Sequence, residues 1–173
     1  MKIVGVPGSL RAESSNRNLL RAIQLIAPEG IEVFLYGELE LLPPFNPDKE
    51  FTIDSAALKR YRHVLSEADA IIFSSPEYAH GVPGALKNAL DWLVGSGELS
   101  EKPVALANPS PRSTFAQASL REILTTMNAK VLPYELAINL RSKNLSPEEI
   151  ATEEMLRIFL QTFIDFARNG SVD

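Results

Sequence analysis

The amino-acid sequence predicts an α/β sandwich of three layers: a parallel sheet of five strands, ordered 2-1-3-4-5, covered by helices on both faces. Three observations lead there. Short apolar, partly β-branched runs recur along the chain, each followed by a segment whose apolar residues repeat every three or four positions. Those helical segments are long enough to carry the chain between parallel neighbours, and such crossovers are right-handed. The turns after the runs are rich in proline, glycine and serine, which end strands and start helices.

Each element follows from its residues. Ile3-Val4-Gly5-Val6 is a buried strand stopped by Pro7-Gly8, and Leu19, Leu20, Ile23, Ile26 and Ala27 then mark a helix that Pro28 and Gly30 end. Ile31 to Leu35 is a second strand. Tyr36 to Phe51 shows no clear period, and its prolines predict a fixed connection. Ala57, Leu58, Tyr61 and Leu65 describe a second helix beginning near Thr52 or Asp54. Ala70-Ile71-Ile72-Phe73 carries no charge and reads as a strand buried on both faces, ending at Ser74 or Ser75. A helix with Pro83 in its first turn follows and buries Leu86, Ala89, Leu90 and Leu93. Pro103 to Ala107 is a fourth strand, followed by a helix lined by Ala116, Leu120, Ile123, Leu124 and Met127. Val131-Leu132 begins a fifth strand. Ser146-Pro147-Glu148-Glu149 is a capping box opening one last helix, with Ile150, Met155, Leu156, Phe159, Leu160, Phe163, Ile164 and Phe166 on its apolar positions.

The first crossover feeds a neighbouring strand and the chain then returns past strand one, which gives the order 2-1-3-4-5 of a flavodoxin-like sandwich. No internal repeat or linker interrupts the alternation, so the expectation is one domain over residues 1–173.

Composition excludes several functions. With net charge −5 and no long run of Lys or Arg, nucleic acid is not an expected partner. Zero cysteines remove disulfides, thiolate metal sites and a Cys nucleophile, and lean toward the cytoplasm. Two histidines with no carboxylates at ligand spacing argue against a metal site, and no Gly-x-Ser-x-Gly elbow supports hydrolysis. No stretch reaches membrane-spanning length, so the chain is expected to be soluble and unprocessed, with no membrane partner.

The chemistry gathers in the loops after strands one and three, where an open α/β sheet places its ligand crevice. Ser9, Arg11, Ser14, Ser15 and Asn16 crowd hydroxyls, an amide and a guanidinium at a helix start, which is an anion site in outline. It is neither a Walker loop nor a Gly-x-Gly-x-x-Gly fingerprint. From the residues alone a second reading stays open, in which Ser14 or Ser15 only caps the helix and Arg11 is exposed. The second loop, Pro76-Glu77-Tyr78-Ala79-His80-Gly81, carries a carboxylate, a phenol and an imidazole. Glu77 is read as an electrostatic cap in preference to a proton carrier, His63 as a surface residue, and Trp92 as a core or subunit-contact residue.

These motifs resemble a known family. Gly8-Ser9-Leu10-Arg11-x-x-Ser14-x-Asn16 followed by Leu19-Leu20 is similar to the first motif of the NADPH-dependent FMN reductases. Pro76-Glu77-Tyr78, then Pro83-Gly84-x-Leu86-Lys87-Asn88-Ala89-x-Asp91-Trp92, is similar to the second, and Ala116-Gln117-x-x-Leu120-Arg121-x-x-Leu124 to the helix after the third loop. The resemblance implies FMN as cofactor and NADPH or NADH as co-substrate. It implies that Ser9, Arg11, Ser14 and Asn16 hold the FMN phosphate, with Ser15 beside them, while Pro76, Glu77, Tyr78 and His80 border the ring. Backbone amides as far as Gly81 would polarise that ring, and Tyr78 and His80 would meet substrate. Hydride would pass through the flavin to a quinone, azo compound, metal oxyanion or free flavin, with no obligatory acid or base. A homodimer or homotetramer is implied as well.

The chain departs from the family pattern twice. Position 80 is often Asn in the family and is His80 here, a titrating group or a plain hydrogen-bonding substitute. The third loop, Pro109-Ser110-Pro111-Arg112-Ser113, has no Gly-Gly pair, so Ser110 and Arg112 are the candidates for contact with flavin or nucleotide. Two other classes stay open on the residues: a flavodoxin-type electron carrier, for which −5 is only mildly acidic, and a flavin-free binding protein on the same fold.

Overall fold

A computed structural model of the chain describes residues 1–140 and 145–170. Strands β1 (Lys2–Pro7), β2 (Glu32–Leu35), β3 (Ala70–Ser74) and β4 (Pro103–Asn108) are parallel, in the order β2-β1-β3-β4. Beyond β4 lie two short strands, β5 (Lys130–Val131) and β6 (Leu136–Ala137), each parallel to a different part of it. The predicted order holds, with a correction at the fifth position. Pro133 has no amide to give a ladder, so the chain leaves β4 after the Leu132 amide bonds the Val104 carbonyl (2.8 Å) and returns where Ile138 bonds Asn108 (2.9 Å).

Alternation along the strands divides the core in two. Ile3, Ala70, Ile72, Ala105 and Ala107 face one side, under α1 (Ser15–Leu25) and α6 (Glu154–Asn169). Val4, Val6, Ile71, Phe73, Val104 and Leu106 face the other, under α2 (Ala56–Ser66), α3 (Gly84–Asp91) and α4 (Thr114–Thr126). The period of two in each strand thus makes the three layers.

The single last helix is two. Ser146 accepts the Glu149 amide (3.3 Å) and Glu149 accepts the Ser146 amide (2.8 Å), so the expected capping box starts α5 (Pro147–Ile150). The Thr152 hydroxyl then donates to the Glu149 carbonyl at 2.7 Å, and α6 begins afresh at Glu154. Met155, expected on the buried face, is 56% exposed. Pro83 stands at the N-cap of α3, one place before its first turn.

The connection from Tyr36 to Phe51, expected from its prolines to be fixed, carries local structure and tertiary hydrogen bonds. It folds into two 3₁₀ turns and is strapped to α3: Asn88 and Trp92 both donate to the Pro43 carbonyl, at 2.9 and 2.8 Å. Trp92 is fully buried, edge-on to Phe45 with ring centroids 5.0 Å apart.

Candidate active site

The carboxyl ends of β1, β3 and β4 release three loops at one edge of the sheet. There the strand order reverses between β1 and β3, where open α/β sheets bind ligands. Nine polar side chains other than tyrosine are buried among the described residues, and all nine stand at these strand ends or in the helix turns that follow. Buried polar groups are costly unless partnered, so their concentration marks a place built for polar contact.

In the first loop Gly8 lets β1 close onto its neighbours. A side chain there would come within 2.9 Å of Leu86 and 3.0 Å of the Ser75 hydroxyl, and the Gly8 amide bonds the Ser74 carbonyl at 2.8 Å. The Ser14 hydroxyl accepts the Arg17 amide at 3.2 Å and caps α1, which leaves the other first-turn amides pointing out of the helix end. The Ser9 hydroxyl accepts the Arg11 amide (3.3 Å), and the Ser74 hydroxyl donates to Asn16 Oδ1 (3.1 Å). Ser14 is thus a cap, as one reading of the sequence had it. It also lines the cavity described below.

The second loop closes in a two-residue turn. Tyr78 pairs with Gly81 in both directions, and the central residues Ala79 and His80 have φ of 49° and 60°. Positive φ at both positions is the type I′ geometry. Histidine is among the residues that tolerate it, which gives His80 a backbone reason to stand at this position. The His80 ring stacks on Phe115 with centroids 4.3 Å apart and planes 18° from parallel. Glu77 reaches α4, where its Oε2 accepts the Ala116 amide at 2.9 Å.

The third loop is a tight turn, with the Ser113 amide on the Ser110 carbonyl (2.9 Å) and the Ser110 amide on Asn108 Oδ1 (2.9 Å). Below it Gln117 donates to the Ser75 carbonyl at 3.2 Å, and its Oε1 is buried without a partner.

The three loops enclose a cavity of about 420 Å³, within the usual size of small-ligand sites. Of the residues singled out in the sequence, Ser9, Arg11, Ser14, Ser15 and Asn16 line it from the first loop, Pro76 and Tyr78 from the second, and Ser110 from the third. Glu77, His80, Gly81 and Arg112 do not line it. Sequence reasoning passed over Glu13, Asn18, Pro109 and Ser113, and an apolar wall of Leu140, Leu145 and Ile150. Ile150 is a core residue that also reaches the cavity, where α5 packs against α1. Glu13, Asn18 and Ser113 sit within or beside the motifs and carry no signal that separates them from solvent-facing residues. Asn18 spends its amide on the Leu145 carbonyl (3.3 Å) and keeps Oδ1 buried without a partner.

A parallel sheet of this order, with a polar helix start at the switch point and an apolar wall packed against that helix, defines a mononucleotide-binding domain of the flavodoxin-like class. The profile of the NADPH-dependent FMN reductase family matches residues 1–142, and the chain belongs to that family. It is 33% identical over 166 residues to a quinone reductase of Pseudomonas putida, covering 92% of this chain and 89% of that one. It is 29% identical over 172 residues to a 2-hydroxy-1,4-benzoquinone reductase of a Burkholderia species, covering 95% and 93%. Among solved structures, the flavoenzyme NAD(P)H:(acceptor) oxidoreductase FerB of Paracoccus denitrificans superposes with a TM-score of 0.83, at 25% identity, over 96% of this chain and 97% of that one. The chain is therefore an oxidoreductase that uses FMN and NAD(P)H. Its donor set fits that cofactor: hydroxyls, an amide, a guanidinium and a helix start for a phosphate, and Pro76, Tyr78 and leucines for a flat ring. Among the described residues no helix is long and apolar enough to cross a membrane.

Proposed function

We propose that this enzyme reduces quinones with NADPH or NADH, through FMN held by its phosphate at Ser9, Arg11, Ser14, Ser15 and Asn16 and by its ring between Pro76, Tyr78 and Ser110. The observation that carries this reading is the single cavity wall shared by the first and second loops, whose polar end meets the start of α1 and whose mouth carries half-exposed Tyr78. The quinone reductases among its relatives support the acceptor class. Bound FMN supplies a ring that takes up a hydride from the nicotinamide and returns it to an acceptor. The protein's part is to hold and exclude. Arg11 meets phosphate oxygens with a planar fork, the first-turn amides of α1 add their dipole, and the leucine wall keeps water from the site. Tyr78 offers nicotinamide or quinone an aromatic face, and the amides of the 76–81 loop that the turn leaves free, those of Glu77, Ala79 and His80, would polarise the ring edge. No side chain is required as acid or base. Gly81 and His80 serve by fixing the turn and Glu77 by tying the second loop to α4, and Arg112, exposed on the third loop, is available to the nucleotide outside the cavity.

The reading extends to the whole chain: one FMN-binding domain over residues 1–173, in the cytoplasm, as a homodimer or homotetramer. A groove between α3 and α4, with exposed Val94 beside Ile123 and Met127, supports association of copies. The test is to purify the protein, identify the flavin it releases, and follow NADPH and NADH oxidation with a panel of benzoquinones and naphthoquinones. Nucleotide consumption that needs both FMN and quinone is expected. FMN-dependent turnover of azo dyes, chromate or free flavin without quinone turnover would overturn the acceptor assignment.

A further inference from the structure

Helix α4 is capped from outside its own segment. Ser14, Ser55 and Ser146 precede α1, α2 and α5 with ψ of 145°, 114° and 161°, and each hydroxyl accepts a first-turn amide. Ser113 holds the same place before α4 with ψ of 62°, and its hydroxyl makes no cap bond. The amide that a capping serine takes, three residues on, belongs here to Ala116 and is bonded by Glu77 Oε2. The same turn stacks His80 on Phe115, so the second loop grips the first turn of α4 at two successive residues. Ser113 is nevertheless 97% buried, being 3% exposed, and it lines the cavity.

We propose that Ser113 is a flavin-binding residue, and that Glu77 is the positioning residue that frees it by capping α4 in its place. In a third loop without glycine, where the backbone is tied into the Ser110–Ser113 turn, a serine hydroxyl supplies the polar contact that a close backbone would otherwise make. The two residues act as a unit. Removing Glu77 leaves the Ala116 amide unpaired, and the Ser113 hydroxyl is then drawn to the helix or carried off as its first turn frays. This assignment rests on FMN occupying the cavity.

The experiment combines FMN titration by flavin fluorescence with thermal denaturation of the apoprotein. Ser113→Ala is expected to weaken FMN binding about two- to tenfold, the worth of one hydrogen bond, and to leave the apo melting midpoint unchanged. Glu77→Ala is expected to weaken binding at least as much and also to lower that midpoint by a few degrees. Glu77→Gln keeps an acceptor oxygen and should restore most of both. In the Glu77→Ala background, adding Ser113→Ala should change the affinity no further. Wild-type affinity in Ser113→Ala, a lowered apo midpoint in that variant, or additive losses in the pair would each overturn the proposal. If the wild-type protein itself bound no FMN, the reading of the cavity would fail and this assignment with it; wild-type binding with an indifferent Ser113→Ala would sink this assignment alone.

Discussion

Tyr78 and Gly81 exchange both of their backbone hydrogen bonds, at 3.1 and 3.0 Å, and so hold Ala79 and His80 in left-handed conformations. An alanine there costs roughly 1–2 kcal/mol, and a β-branched residue more. Ala79→Asn, which suits a type I′ turn, is expected to keep or raise the urea midpoint, whereas Ala79→Val should destabilise by at least about 1 kcal/mol. Equal midpoints for the two variants would show that the turn is not held in this shape.

Arg11 is exposed at the rim of the cavity and makes no ion pair among the described residues. A charge-assisted bond to phosphate is worth about 1.5–3 kcal/mol, so Arg11→Ala should weaken FMN binding at least tenfold and leave the apoprotein's stability intact. An unchanged dissociation constant in a flavin fluorescence titration would contradict the phosphate assignment.

Asn88 lies in the second motif but serves the fold. Its Oδ1 accepts the Phe45 amide at 2.7 Å while its Nδ2 donates to the Pro43 carbonyl at 2.9 Å. Asn88→Ala should cost about 2–3 kcal/mol by urea denaturation, because the Phe45 amide loses its partner. FMN affinity should hardly move, and a large affinity loss at native stability would make Asn88 a site residue after all.

Tyr36 and Tyr61 pack with ring centroids 5.1 Å apart, and neither hydroxyl has a hydrogen-bond partner. Burial, then the charge of Glu38, pushes the Tyr36 phenol up to about 12, and burial raises Tyr61 as well. Each phenol holds its proton more tightly in the folded state than in the unfolded one. The Tyr36 contribution is therefore complete below about pH 10 and is lost as pH rises from 10 through 12, and that of Tyr61 is likewise complete below about pH 10 and lost only at higher pH. Lys102, lowered by burial, acts in the opposite sense just below its ordinary range. Stability should fall above about pH 10, and Tyr61→Phe, near neutral at pH 7, should flatten that fall. A variant that declines as steeply as wild type would contradict the pairing.

Most of the architecture was legible because period two and period 3.6 are written by burial. Ile3 and Val4 point to opposite cores, and Leu86, Ala89, Leu90 and Leu93 all disappear into one. The breaks were less so. Pro133 could have ended the fifth strand outright, and only the return of Ile138 to Asn108 shows that the ladder resumes. The split between α5 and α6 depends on the Thr152 hydroxyl choosing the Glu149 carbonyl, which apolar spacing does not encode. At the site, motif residues predicted which loops meet and many of the side chains that line the cavity, but not every one. Glu77 spends its carboxylate on α4 while Ser113, the last residue of the third loop and not one of its two candidates Ser110 and Arg112, faces the cavity. That exchange between two loops distant in sequence is a tertiary fact.

The most direct measurement is a crystal structure of the protein grown with FMN. The phosphate is expected at the start of α1, within hydrogen-bond reach of Ser9, Arg11 and Asn16, and the ring beside Tyr78 and Ser110. Flavin bound elsewhere on the molecule, or a cavity left vacant at saturating FMN, would contradict it.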